Sequence, residues 1–360
     1  MTTGPSGQVQ TVLGPVDPDT LGVTHTHEHL LCDQSCYFSV PEEASERSWI
    51  DAKFTMERRG VSLSKFPYFP DLYVLLDERV AIKEALRFKH AGGGTLVDVT
   101  NRGIARDPLA LTRISRATGL NVVMGGGYYI PPSYPPDFED VTEDEITEEI
   151  VRDITEGVKD TGVKTGVIGE LGNLWPASES EAKVLRAAAR AQIITGAPIL
   201  IHPGFHGDSP AQILGILLGA GADPGKIIMG HLGYINRLET IEWLTETGCF
   251  MEWDLFGFED SGLASGSPPP TMAVPAFPID DRPKLIGGRT VDPFWGFVPF
   301  TYPINMSGQT AASIPCGYSS NGMPIGLHII GPRGSESRVL QAAAAFEQAM
   351  PWADKRPGVS

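Results

Sequence analysis

The sequence predicts an α/β chain organised as a (β/α)8-type barrel with seven recognisable strands and no eighth unit. Short apolar runs alternate with amphipathic helical stretches seven times between residues 21 and 255. That alternation suits a parallel sheet with helices packed outside it. Polar residues recur where the runs end: His27 and His29, Asn101, Tyr129, Glu170, His202 and His231. Such a barrel carries its chemistry at the C-terminal ends of its strands. A doubly wound sheet is the rival architecture, but it gathers ligands at a single switch point and fits so many polar strand ends less well.

In chain order, residues 9–16 are apolar and broken at Gly14-Pro15, which suits a hairpin lidding one end of the domain. The first barrel strand spans about 21–27. Alternate side chains of a strand share a face, so His25, His27 and His29 are expected to point together. Residues 32–70 are irregular and rich in aromatics and proline, a loop length that usually carries function. Residues 75–90 have apolar side chains at helical spacing and stop at Gly92-Gly93-Gly94. The second strand is 95–100, and Asp107-Pro108 opens a helix through Thr118. Strand three, 121–124, runs into Gly125-Gly126-Gly127-Tyr128-Tyr129. The helix at 142–158 has an acidic first turn, matching the positive end of its dipole. Strand four, 166–170, ends in Glu170, and Ser180 is read as the cap of a helix over 181–195. Strands five (198–202) and six (226–231) end in His202 and His231, with a helix at 209–218 between them. A helix at 238–247 precedes strand seven, 249–255, whose Asp254 is expected to face a different part of the mouth.

The 360 residues carry 41% hydrophobic and 20% charged side chains, enough for a sizeable core. A formal net charge of −16 argues against binding nucleic acid or an anionic membrane. No run is long and apolar enough to span a bilayer, and the first twenty residues lack the pattern of a signal peptide. The four cysteines, Cys32, Cys36, Cys249 and Cys316, are scattered and read as reduced thiols of a cytoplasmic protein. The expected partner is a small-molecule substrate, and a homodimer is compatible with this composition.

Two histidines from strand one, a carboxylate from strand four and one histidine each from strands five and six can meet at a barrel mouth. Imidazole and carboxylate suit zinc, with manganese or cobalt as alternatives. Five ligands exceed what one catalytic zinc with an open position uses. They suit two divalent metal ions about 3.5–4 Å apart, bridged by a carboxylate and a hydroxide. Glu170 is the natural bridge, because its strand lies between the two histidine groups.

Gly14-Pro15 with Thr26-His27-Glu28-His29, then Ile168-Gly169-Glu170, His202-Pro203-Gly204 and Gly230-His231-Leu232, resemble in order the motifs of the phosphotriesterase-like family of the amidohydrolase superfamily. The resemblance covers about 8–258. It implies that His27 and His29 bind the first metal, that His202 and His231 bind the second, and that Glu170 bridges them and is central to catalysis. It implies that Tyr129 lines the substrate pocket and that His25 stays outside the ligand set. The implied activity is hydrolysis of ester-type bonds, in a phosphotriester or a lactone. One feature departs: the family's metal-binding aspartate from strand eight has no counterpart after Asp254-Leu255-Phe256-Gly257. Its loss is expected to lower the rate by about 10²–10⁴-fold.

From about Pro268 the chain changes character. Asp292-Pro293-Phe294-Trp295-Gly296, the stretch 301–317, Pro324-Ile325-Gly326-Leu327-His328 and a helix at 338–349 resemble the C-terminal part of the amidase signature family. That family's nucleophilic machinery lies upstream of this region, and Ser313, Ser319 and Ser320 match no nucleophile. The expected organisation is an incomplete hydrolase barrel at 1–258, a junction at 259–270 and an amidase-like fragment at 271–360. A gene fusion, a frameshift or a mis-assembled reading frame would each produce it. The rival to a metal hydrolase is a catalytically inactive metal-binding fusion, and an amidase is disfavoured by the missing nucleophile.

Overall fold

The computed structural model describes residues 7–41, 47, 50, 53–58, 69–235, 237–254, 284–286, 289–290, 310–318, 324–331 and 334–352. The chain divides into two compact units, Met1–Asp254 and Leu255–Ser360. The junction expected at 259–270 lies outside the described residues, as do Ser319, Ser320 and 292–309.

The first unit is built on a seven-stranded parallel sheet. Its strands are β3 (Val23–Glu28), β6 (Gly93–Asp98), β7 (Asn121–Gly126), β8 (Val167–Gly172), β9 (Ile199–His202), β10 (Ile227–Met229) and β11 (Phe250–Met251). They lie side by side in sequence order without a reversal. A doubly wound sheet requires a reversal, so the order excludes that rival. Helices α1 (Glu78–His90), α2 (Pro108–Thr118), α3 (Glu143–Thr155), α4 (Glu179–Thr195), α5 (Ser209–Gly219) and α6 (Leu238–Thr247) fill the crossovers. Among the described residues no backbone ladder joins β11 to β3, so the sheet retains a seam between its first and last strands.

Strand period decides which side chains meet the helices. On β7, Val122 and Met124 pack with Leu96, Leu111 and Ile114 against α2. Val123, between them, turns the other way to meet Val99, Val167 and Leu200. Burying each such side chain contributes about 1.5–3 kcal/mol. The hairpin of β1 (Val9–Thr11) and β2 (Gly14–Val16) lies at the strand starts, with Val12 N donating to Val122 O at 2.8 Å. Two further two-residue strands, β4 (Cys32–Asp33) and β5 (Val74–Leu75), pair antiparallel. All four cysteines are free.

Three sequence expectations change. Helix α4 is capped by Ser178, not Ser180, because Glu181 closes a reciprocal capping box with Ser178 from three residues away. Helix α1 begins at Glu78 behind the Asp77 cap rather than at residue 75. The register of β3 shifts between His25 and Glu28, so strict alternation fails there. His25 is half exposed, pairs with Glu28 at 3.0 Å and leans towards Phe88, leaving His27 and His29 to face the strand ends without it.

In the second unit β12 (Leu285–Ile286) pairs with β13 (Arg289–Thr290), and β14 (Thr310–Tyr318) pairs antiparallel with β15 (Pro324–Gly331). Helix α7 (Glu336–Ala349) packs on both long strands, and its Val339 is buried. Ser313 sits opposite His328 within this ladder, a structural position.

Ile114 is fully buried between α2 and the sheet. Ile114→Ala should cost about 2–5 kcal/mol of stability, read as a lowered urea midpoint with an unchanged slope.

Candidate metal centre

Glu170 sits near the end of β8 with no solvent exposure. The backbone before it is tightly constrained: Gly169 adopts φ +133°, and a Cβ there would meet Leu200 O at 2.2 Å. Only glycine satisfies both conditions. At Gly172, two residues on, a Cβ would lie 2.6 Å from the Tyr129 ring, so glycine lets that ring pack against β8.

Four imidazoles converge on this carboxylate. His29 Nε2 lies 2.9 Å from Oε1; His27 Nε2, His202 Nδ1 and His231 Nε2 lie 3.3, 3.0 and 3.4 Å from Oε2. The five residues proposed from sequence are therefore brought together, from β3, β8, β9 and the turn after β10. His231 itself takes a left-handed backbone at φ 54°, which turns it off the end of β10 towards the cluster.

Each histidine has a separate partner at its other ring nitrogen. His29 Nδ1 lies 2.9 Å from Thr100 Oγ1, and His202 Nε2 lies 3.2 Å from the Tyr37 hydroxyl. His27 Nδ1 lies 3.2 Å from Glu252 Oε2, and His231 Nδ1 lies 2.8 Å from Asp254 Oδ1. Asp98 accepts from Leu30 N and Thr100 N, and so ties the ends of β3 and β6 together. Burial pushes the Asp98 carboxyl up to about 6. Tyr129 is buried with its hydroxyl 3.3 Å from His202 Nδ1, and Tyr37 donates to it at 3.0 Å.

Asp254 departs from the sequence expectation. Strand β11 ends at Met251, so the chain has left the ladder before Asp254 and swings the carboxylate towards the histidines rather than to another part of the mouth. Glu252, Thr100 and Tyr37 also escaped the sequence reading. The available signal was two acids two residues apart in an otherwise apolar strand, Met251-Glu252-Trp253-Asp254.

The electrostatics follow from this crowding. Burial would raise the Glu170 pKa, but the His27 and His202 charges and hydrogen bonds from His202 and His231 hold it well below the usual range. Burial opposes a charge on His27, yet Glu170 and the strand-seven carboxylates raise its pKa well above the ordinary value. His231 is raised despite burial, by Asp254 and Glu170. Burial and the neighbouring His231 push His202 down to about 4.

The donor set fits divalent metal ions. His27 Nε2, Glu170 Oε1 and Asp254 Oδ2 are buried and make no hydrogen bond, although each has an opposite partner within ion-pair distance. Buried polar atoms are normally satisfied, and these three surround positions suited to a cation. Among the described residues, His27, Glu170 and His231 form one potential ligand group and His27, Glu252 and Asp254 another.

The phosphotriesterase family model matches residues 7–270. The chain belongs to that family. The amidase model matches residues 269–340. The N-acetyltaurine hydrolase of Tetraodon nigroviridis is 39% identical over 258 residues, which covers 71% of this chain and 73% of that protein. The phosphotriesterase-related protein of Nematostella vectensis is 40% identical over 273 residues, covering 73% and 77%. A resiniferatoxin-binding protein from Rhodobacter sphaeroides superposes with a TM-score of 0.68 at 35% identity, over 70% of this chain and 71% of that one. The phosphotriesterase homology protein of Escherichia coli, complexed with phosphate in its active site, superposes at 0.54 with 26% identity.

A ligating imidazole must be neutral. In the metal-free chain the raised pKa values of His27 and His231 keep both protonated into a higher pH range than usual. Metal uptake therefore competes with protons. Zinc added at pH 7 in weak buffer should release protons, and its affinity should fall as pH drops towards 5, as read by calorimetry in buffers of different ionisation enthalpy.

Proposed function

We propose that this family member is a binuclear metal-dependent hydrolase of small-molecule substrates. The observation that carries the reading is the convergence of four imidazole nitrogens on one buried carboxylate, each ring having a partner at its other nitrogen. In this reading His27 and His29 hold one divalent cation, His202 and His231 hold a second, and Glu170 is shared. Such a pair supplies a water of lowered pKa and polarises the scissile phosphoryl or carbonyl group. Zinc fits the donors, with manganese and cobalt as alternatives.

The protein's own residues do the rest. Glu170, ionised far below neutral pH, keeps its negative charge between the two histidine pairs. Tyr129 and Tyr37 present hydroxyls beside His202 and form the polar wall against which a substrate would be oriented. Phosphotriesters and lactones are the substrate classes the sequence motifs favour. A second reading, a carboxamide such as an N-acetylated amine, is supported by the N-acetyltaurine hydrolases at 37–39% identity. Both readings use an attacking water and a polarised acyl or phosphoryl group. The strand-eight aspartate lost from this chain is expected to limit the rate in either case.

Metal-loaded full-length protein should be assayed with a chromogenic phosphotriester, a lactone and an N-acetylated amine. The expected result is metal-dependent turnover of at least one, abolished by a chelator and at least 10²-fold lower in Glu170→Gln. Chelator-resistant turnover would overturn the metal-dependent reading. About two bound metals per chain with no hydrolysis of any class would favour the inactive metal-binding fusion.

A further inference from the structure

Glu252 and Asp254 are not among the five residues assigned to the two cations above, although with His27 they form a second group of potential ligands. Glu252 and Asp254 are two residues apart, so an extended chain places both on one side. Glu252 still belongs to the sheet: its N donates to Met229 O at 2.9 Å, and its carbonyl accepts from Leu232 N at 3.0 Å. Its carboxylate crosses the seam, accepting from Thr26 Oγ1 at 2.5 Å and meeting His27 Nδ1 at 3.2 Å. Asp254 Oδ1 meets His231 Nδ1 at 2.8 Å, and its Oδ2 lies 3.1 Å from His27 Nδ1. Both side chains are about one-tenth exposed, and the histidines they touch are at least as buried.

A neutral imidazole carries its proton on one nitrogen and its lone pair on the other. A carboxylate beside Nδ1 therefore favours the tautomer whose lone pair is on Nε2. His27 and His231 both turn Nε2 towards Glu170. Carboxylates that receive the second N–H of a ligand histidine fix ring orientation and raise its basicity, and their loss typically costs about 10–100-fold in metal affinity.

We propose that Glu252 and Asp254 are positioning residues for the two metals, Glu252 through His27 for one and Asp254 through His231 for the other. The segment at and after β11, the edge of the described parallel sheet, thus serves both halves of the centre at once. The proposal rests on the binuclear reading given above. It asks nothing of an eighth unit, because these carboxylates act from behind the histidines and not as ligands among them.

The test uses full-length protein, wild type and the separate variants Glu252→Gln and Asp254→Asn, each loaded with cobalt(II) and with zinc. Metal content, competition affinity and the cobalt absorption bands are measured, with thermal melting of the metal-free forms as a fold control. The expected result is about two metals in the wild type, the His27-side one weakened about 10–100-fold in Glu252→Gln, and the His231-side one weakened about 10–100-fold in Asp254→Asn with a smaller loss on the His27 side, which Asp254 also reaches. The cobalt bands should change differently in the two variants. In the zinc-loaded wild type, ¹⁵N-histidine NMR should show His27 and His231 protonated at Nδ1, a readout that needs no variant to fold. Wild-type affinities and spectra in both variants would overturn the proposal while leaving the binuclear reading intact. Nδ1 coordination of either ring would also overturn it. A third metal lost from both variants would make the carboxylates ligands of a separate cation site instead. A wild type that binds no metal would sink the binuclear reading itself, and this proposal with it.

Discussion

A carboxylate with no exposure to solvent governs the rest of this structure. Moving an ionised group out of water costs several kcal/mol unless it is closely paired. Glu170 is buried and yet held ionised, so its surroundings must supply positive charge or hydrogen-bond donors from several directions. Three separate segments deliver them, the end of β3, β9 and the turn after β10, which requires all three to reach the level of Glu170 on β8. The glycine at 169 is dictated by the same demand, since any larger residue would collide with Leu200 before the carboxylate could take its place.

The parts of the fold that could be read from sequence are those where one local rule suffices. Asp107-Pro108 and Thr142 with Glu145 mark helix starts through backbone capping, and the structure places α2 and α3 behind them. Alternating apolar runs identified every strand of the parallel sheet. Errors came where two rules compete. Ser178 and Ser180 are both acceptable caps, and only the reach of Glu181 decides between them. Period-two alternation grouped His25 with His27 and His29, but the register shift in β3 separates it. The four histidines that converge on Glu170 were legible because they lie where apolar runs end. Glu252, Asp254 and Thr100 were not, since their role depends on which strand end lies beside which, a property of the assembled sheet and not of any one segment.

The second unit shows the same division. The helix that the amidase resemblance implied at 338–349 is present as α7, whereas the β14–β15 ladder was not anticipated, because pairing depends on a neighbouring strand and not on one apolar run.

The seam between β3 and β11 has a mechanical consequence. A strand in the middle of a sheet is braced on both sides, whereas an edge strand is braced on one. His202 belongs to β9, flanked by β8 and β10, and His231 follows β10, flanked by β9 and β11. His27 belongs to β3 and His29 directly follows it; among the described residues β3 has β6 as its one ladder neighbour and is tied across the gap by side chains such as Thr26 and Glu252. Among the described residues the two pairs of histidines around Glu170 are therefore braced unequally. Under the binuclear reading the cation on the β3 side would be the kinetically labile one, exchanging with solution as the edge yields, while its neighbour stays in place.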